Sequence, residues 1–131
     1  MIIDTSAWIE FLRGTGSRSD LVLCRAFRNG SPLWIPEVVY CEVLQGAGSV
    51  RHFMQLQIAL DKIPQYVSSE PFALARSAAL LYARCRWRGI TIRSANDCLI
   101  AACAIEAGEP LLHADRDFES IATIEPKLTF A

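Results

Sequence analysis

The chain has 131 residues, 52% of them hydrophobic and 21% charged, and a formal net charge of −1. That length suits one domain, here residues 1–131, whose core takes roughly two thirds of the unfolded surface out of water, and the composition excludes a disordered chain. Near-neutrality excludes attraction of nucleic acid by a whole-molecule positive field, so any such attraction has to be local.

Met1 to Asp4 is a short apolar run ending in an acid, and it reads as a buried strand feeding a helix over 5–13, with Thr5 and Ser6 as capping types. Residues 14–17 form a turn, and 20–28 carry a mixed helical pattern that Asn29-Gly30 stops. Leu33-Trp34-Ile35 predicts a second strand. Pro36 then suits the first position of a helix that runs through Val38, Val39, Glu42 and Val43 to Gly46. Phe53, Leu56 and Leu60 mark one face of a helix over 49–63, stopped by Pro64, and Tyr66-Val67 reads as a brief strand. From Pro71 to Trp87 the helical period runs through Phe72, Leu74, Ala75, Ala78, Ala79 and Tyr82, and 94–108 is the clearest helix in the chain. Leu111 to His113 predicts a strand, 114–118 a polar turn into a short helix, and 128–130 a final strand.

Short apolar strands alternating with helices predict an α/β fold in which helices cover both faces of a short central parallel sheet, a three-layer α/β/α arrangement. Ligands of such sheets bind at the carboxyl ends of the strands. Asp4 and Asp115 fall on that edge, and Glu42 and Asp97 reach it from helices. Five cysteines, Cys24, Cys41, Cys85, Cys98 and Cys103, form an odd set without a C-x-x-C pair, so they read as reduced thiols in a cytoplasmic protein. No run approaches the roughly 20 apolar residues of a membrane span, and the first residues lack the basic segment of a secretory signal.

Each acid has an ordinary explanation when taken alone. Asp4 can cap the helix that follows it, Ser94-x-x-Asp97 matches a capping box, and Asp115-Arg116-Asp117 suits a solvated turn, the better reading for Asp117. Glu42 is harder to dismiss, because an acid on an apolar helix face needs a partner. Several carboxylates without a His-Cys set point to a hard cation, magnesium or manganese, that activates water for an in-line attack on a phosphodiester.

Four motifs occur in order: Ile3-Asp4-Thr5-Ser6-Ala7-Trp8, Pro36-x5-Glu42, Asn96-Asp97-x-Leu99-Ile100-Ala101-Ala102 and Leu112-His113-Ala114-Asp115-Arg116-Asp117-Phe118. Together they resemble PIN-domain nucleases, and the brevity of the chain is most similar to the VapC-type toxins of bacterial toxin–antitoxin modules. The resemblance implies a metal-dependent endoribonuclease with Asp4, Glu42, Asp97 and Asp115 as both catalytic and metal-binding residues. It further implies Mg2+ or Mn2+ as cofactor, Thr5 or Ser6 as a supporting hydroxyl, Asp117 as a fifth member, a small antitoxin partner and a homodimer.

Between Pro71 and Asn96 there is no acid and there are five arginines, Arg76, Arg84, Arg86, Arg88 and Arg93. Arg86, Arg88 and Arg93, with Arg116, are the candidates for holding an RNA backbone at the rim of an acidic crevice. Trp8 and Trp34 read as packing residues, whereas Trp87, among arginines, suits base stacking. His52 reads as a surface residue and His113 as structural, too few imidazoles for a zinc or His-based nuclease. Other classes fit less well. A phosphoacceptor receiver domain needs an acid pair after its first strand, and a haloacid-dehalogenase-type phosphatase needs D-x-D where Asp4-Thr5-Ser6 stands. A non-catalytic RNA-binding or scaffold module of the same fold is the rival reading.

Overall fold

A computed structural model describes residues 1–131. The elements run β1 (Ile2–Ile3), α1 (Thr5–Arg13), α2 (Arg18–Asn29), β2 (Ile35–Pro36), α3 (Glu37–Gln45), α4 (Val50–Leu60), β3 (Gln65–Tyr66), α5 (Pro71–Trp87), α6 (Ala95–Ala107), β4 (Leu111–Leu112) and α7 (Asp117–Ile124). Ile2 and Ile3 pair in parallel with Leu111 and Leu112, and Ile35 and Pro36 with Gln65 and Tyr66. A parallel bridge from Ile2 to Trp34 joins the two ladders, and another from Leu111 to Phe130 adds the C-terminal segment. The order across the sheet is therefore β3-β2-β1-β4, with Phe130 outside β4.

Successive residues of a strand point to opposite faces, and Ile2, Ile3, Leu111 and Leu112 are each 0% exposed. Both faces of the sheet are thus covered, which is the three-layer arrangement expected of a parallel sheet. Three helices stop where the sequence stops them. Gly14, Gly30 and Gly108 adopt φ of 60°, 63° and 63°, the left-handed region that costs glycine nothing, and their N–H groups return to the preceding turn.

Several expectations are corrected. Pro36 ends β2 and precedes the helix as its N-cap instead of occupying the first helical position. α4 ends at Leu60, short of Pro64, and of its three expected core residues Leu56 and Leu60 are buried while Phe53 is 40% exposed. α5 has the predicted ends and a partly shifted buried face: of the expected residues Ala78 is buried and Leu74 and Tyr82 pack on the core, Leu81 and Cys85 are buried beside them, and Phe72 is 88% exposed. The 128–130 segment contributes one bridge, not a strand.

Phe118, at the start of α7, is fully buried and stacks on His113 with ring centroids 5.1 Å apart. Replacing it by alanine leaves a cavity under the turn that carries Asp115 and Asp117. Phe118→Ala is expected to lower unfolding free energy by about 3–5 kcal/mol in urea titrations, and Phe72→Ala by less than about 0.5 kcal/mol.

Candidate active site

The four strands all point their carboxyl ends the same way, so the segments that follow them meet along one edge. Asp4 follows β1 directly, and its backbone N–H donates to Leu112 O at 2.9 Å, which fixes it beside the end of β4. Its carboxylate caps α1 by accepting from Ser6 N at 2.8 Å and also accepts from the Ser6 hydroxyl. The capping role and a place among the acids are compatible here. The Ser6 Oγ in turn accepts from Ala114 N at 2.9 Å, so one hydroxyl ties the Asp4 carboxylate to the turn that bears Asp115. Thr5 Oγ1 beside it is buried without a partner.

From the helices, Glu42 on α3 accepts a 3.0 Å hydrogen bond from Asn96 Nδ2, and Asp97 and Asp117 lie in the first turns of α6 and α7, where the helix dipole favours negative charge. The Ser94 hydroxyl caps α6 through Asn96 N, and Asp97 makes no side-chain hydrogen bond of its own, so the capping-box role is not realised. Ligand oxygens of Asp97, Asp115 and Asp117 lie within 4.8 Å of one another. Asp4 and Glu42 complete the group at longer range, since both add to the field felt by Asp97. Beside Glu42 and Asn96 opens a groove of about 560 Å³ walled by α3, α5 and α6.

The electrostatics follow from this crowding. Burial pushes Asp4 up to about 6 against the hydrogen bonds of Ser6 and Thr5 that favour its charge, with Glu42 adding repulsion. Asp97 is pushed up to about 7, first by burial and then by the charges of Asp4, Asp115, Asp117 and Glu42. Asp117, expected in a solvated turn, is only 6% exposed. Burial raises it, but the backbone and side chain of Arg93 outweigh that and hold it below the ordinary carboxylate range. Arg93 donates from N and Nε to Asp117 Oδ2, each at 3.0 Å, and from Nη2 to Asp115. The sequence reading groups Arg93 with RNA-facing arginines, yet its guanidinium is turned onto the acids. Its sequence signal is that no other Lys or Arg lies between Gly89 and Asp115.

Arg84 is also occupied, by Glu125 at 3.2 Å and the Ile124 carbonyl at 2.6 Å, while Arg86, Arg88 and Arg116 form no ion pair. Trp8 is buried, and Trp34 packs on the core. His52 caps the preceding turn by accepting from Gly48 N at 3.1 Å, and His113, half-buried between Phe118 and Phe130, is held below its ordinary value by burial. The donor set is oxygen only and carries more negative charge than its single guanidinium neutralises, which fits a hard divalent cation.

The sequence profile of the PIN domain matches residues 1–124. The chain belongs to the PIN-domain family. Among curated proteins, this PIN domain is 36% identical over 125 residues to VapC ribonuclease Mb1587 of Mycobacterium bovis, covering 95% of the chain and 92% of that relative. The same figures hold for ribonuclease VapC11 of Mycobacterium tuberculosis. Among solved structures it is similar to VapBC2 of Rickettsia felis bound to a DNA fragment from their promoter, with TM-score 0.70, 20% identity and coverage of 99% of this chain and 96% of that one. FitAcB of Neisseria gonorrhoeae gives TM-score 0.64 and 19% identity at the same coverage. These two likenesses concern the fold.

The raised acids make stability depend on pH. Asp4 and Asp97, ordinarily near 3.8, hold protons in the folded state that the unfolded chain releases, so their contribution is full below about pH 4 and is lost as pH rises through about 6 and 7. In EDTA the melting temperature is expected to rise as pH falls from about 8 to about 5.5, and Mn2+ to stabilise more at the higher pH, where fewer protons compete. Asp97→Asn should flatten that profile. A melting temperature in EDTA that falls steadily over the same interval contradicts the proton assignment.

Proposed function

We propose that this PIN domain is an endoribonuclease that hydrolyses RNA phosphodiester bonds with Mg2+ or Mn2+ bound by Asp4, Glu42, Asp97 and Asp115, and that it acts as the toxin of a toxin–antitoxin pair. The observation that carries the reading is Asp97, which sits partly buried among four other carboxylates with its proton affinity raised to about 7. Such an arrangement is unfavourable unless a cation takes the proton's place. Relatives named as ribonucleases, 36% identical over 95% of the chain, support the substrate class.

When bound, a divalent ion supplies positive charge at the phosphodiester and makes water acidic enough to act as the nucleophile near neutral pH. The chain's own residues do the rest. Ser6 fixes Asp4 against the 114 turn, Asn96 orients Glu42, and Arg93 holds Asp115 and Asp117 in one orientation, while Asp97, once deprotonated, would be free to hold the cation. Thr5 is the second hydroxyl beside the site. No side-chain nucleophile is required.

A small antitoxin and a homodimer belong to the same proposal. One relative in structure is a VapBC assembly, and α4 exposes a stripe of Val50, Met54 and Ile58 at 79%, 56% and 61%, chemistry that suits a protein interface. An antitoxin guanidinium reaching the acids would neutralise them as Arg93 does in part, without supporting hydrolysis. A cytoplasmic setting fits the five unpaired cysteines, and no helix is long and apolar enough to cross a membrane.

The test is cleavage of a tRNA and rRNA panel with and without Mg2+ or Mn2+. Asp4→Asn, Glu42→Gln and Asp97→Asn are each expected to lower kcat/KM by at least about 100-fold, the size of losing a few kcal/mol of charge stabilisation, with unchanged circular dichroism. Full metal-dependent activity in these variants would refute the assignment. Light scattering is expected to give a dimer at micromolar concentration, and a monomer there refutes that part alone.

A further inference from the structure

Trp87, the last residue of α5, leaves 74% of its surface exposed, whereas Trp8 is buried at 3% and Trp34 is partly buried against the core. With Arg88, Thr123 and Ile124 it lines a recess of about 250 Å³ at the C-terminal end of α7. Arg84 lies at the same recess, with its guanidinium committed to Glu125 and the Ile124 carbonyl. A second recess, of about 450 Å³, follows α7 from Thr123 back to Arg116 and Asp117, with Ile90 and Thr91 as its other wall. Thr123 lines both, so the two recesses adjoin along α7, one reaching Asp117 of the acidic cluster and the other Trp87, and together they mark out a track. At helical rise, α7 sets its length at about 10 Å, the span of about three stacked nucleotides.

The lining decides what can lie there. Arg88 and Arg116 face the track without an ion pair, and Asp117 is already neutralised by Arg93, which leaves Glu119 as the one uncompensated acid on the wall. A peptide helix needs an apolar groove, and Thr91, Thr123, Arg88 and Arg116 do not provide one. An exposed indole face beside unpaired guanidinium groups suits a single-stranded nucleic acid, bases stacking on the ring and phosphates meeting the arginines.

We propose that this track holds the unpaired RNA strand leading away from the scissile bond, with a base stacked on Trp87 and the intervening phosphates on Arg88 and Arg116. The inference rests on the ribonuclease reading and adds a subsite to it. The experiment measures binding of a fluorescein-labelled oligouridine of about 12 nucleotides, within the usual site size for such proteins, to the cleavage-disabled Asp97→Asn protein with Mg2+. Adding Trp87→Ala is expected to raise Kd about tenfold, with Trp87→Phe retaining most of the affinity, and Arg88→Ala to reduce the salt slope by about one.

Quenching of indole emission by RNA should disappear with Trp87→Phe. Phe72→Ala, at a ring still more exposed than Trp87 but at the other end of α5, should leave Kd unchanged. Equal Kd for the parent and Trp87→Ala overturns the track, as does a loss confined to self-association or protein binding in light scattering. Wild-type protein that cleaves RNA while its Asp97→Asn form ignores the oligouridine also overturns it. Failure of the wild type to cleave any RNA removes the ribonuclease reading itself.

Discussion

Repulsion among carboxylates at the carboxyl edge of the sheet is the constraint on which the rest of the structure depends. Asp4, Glu42, Asp97 and the pair Asp115 and Asp117 come from four separate segments of the chain, and each is held by a local device that resists their separation. Asp4 is locked by the β1–β4 ladder and by the hydroxyl of Ser6, which bonds on its other side to Ala114. Asp97 and Asp117 begin helices, whose aligned peptide dipoles offset part of the cost of charge. The buried apolar strands beneath supply the rigidity that keeps these devices in register.

Arg93 divides the acids into two kinds. Asp115 and Asp117 share its guanidinium, and Asp117 is accordingly held in its ionised form. Asp97, within 4.8 Å of both, receives no hydrogen bond and carries the unfavourable side of the balance. One internal cation therefore stabilises part of the cluster and leaves the remainder as the place where a second cation has most to gain. The geometry is selective for an added positive charge without being neutral beforehand.

Much of this was legible in the sequence because the signals were local. Glycines in the left-handed region stop α1, α2 and α6, and apolar runs too short for helices became strands as brief as Ile2–Ile3. Glu42 stood out as an acid on an apolar helix face, whereas Asp4 and Asp97, which read alone as caps, were picked out by the motifs around them. What was hidden depended on distant partners or lacked contrast. α5 is so rich in alanine and leucine that period alone could not choose between Phe72 and Leu81 for the core, and packing chose Leu81. Asp117 resembled a solvated turn residue because its partner lies 24 residues upstream, and the same separation concealed that Arg93 faces inward.

The pairing of β1 with β4 also governs when the site comes into existence. Ile2 and Ile3 are made well before their ladder partner, Leu111–Leu112, and Asp115 and Asp117 come later still. Contacts this distant in sequence form slowly, and here they wait on translation as well. Asp4, Glu42 and Asp97 are therefore made before the turn that bears Asp115 and Asp117, and the acid cluster closes only once that turn has followed them. A copy that stops before residue 111 has neither the strand that pairs with β1 nor the turn that bears Asp115 and Asp117.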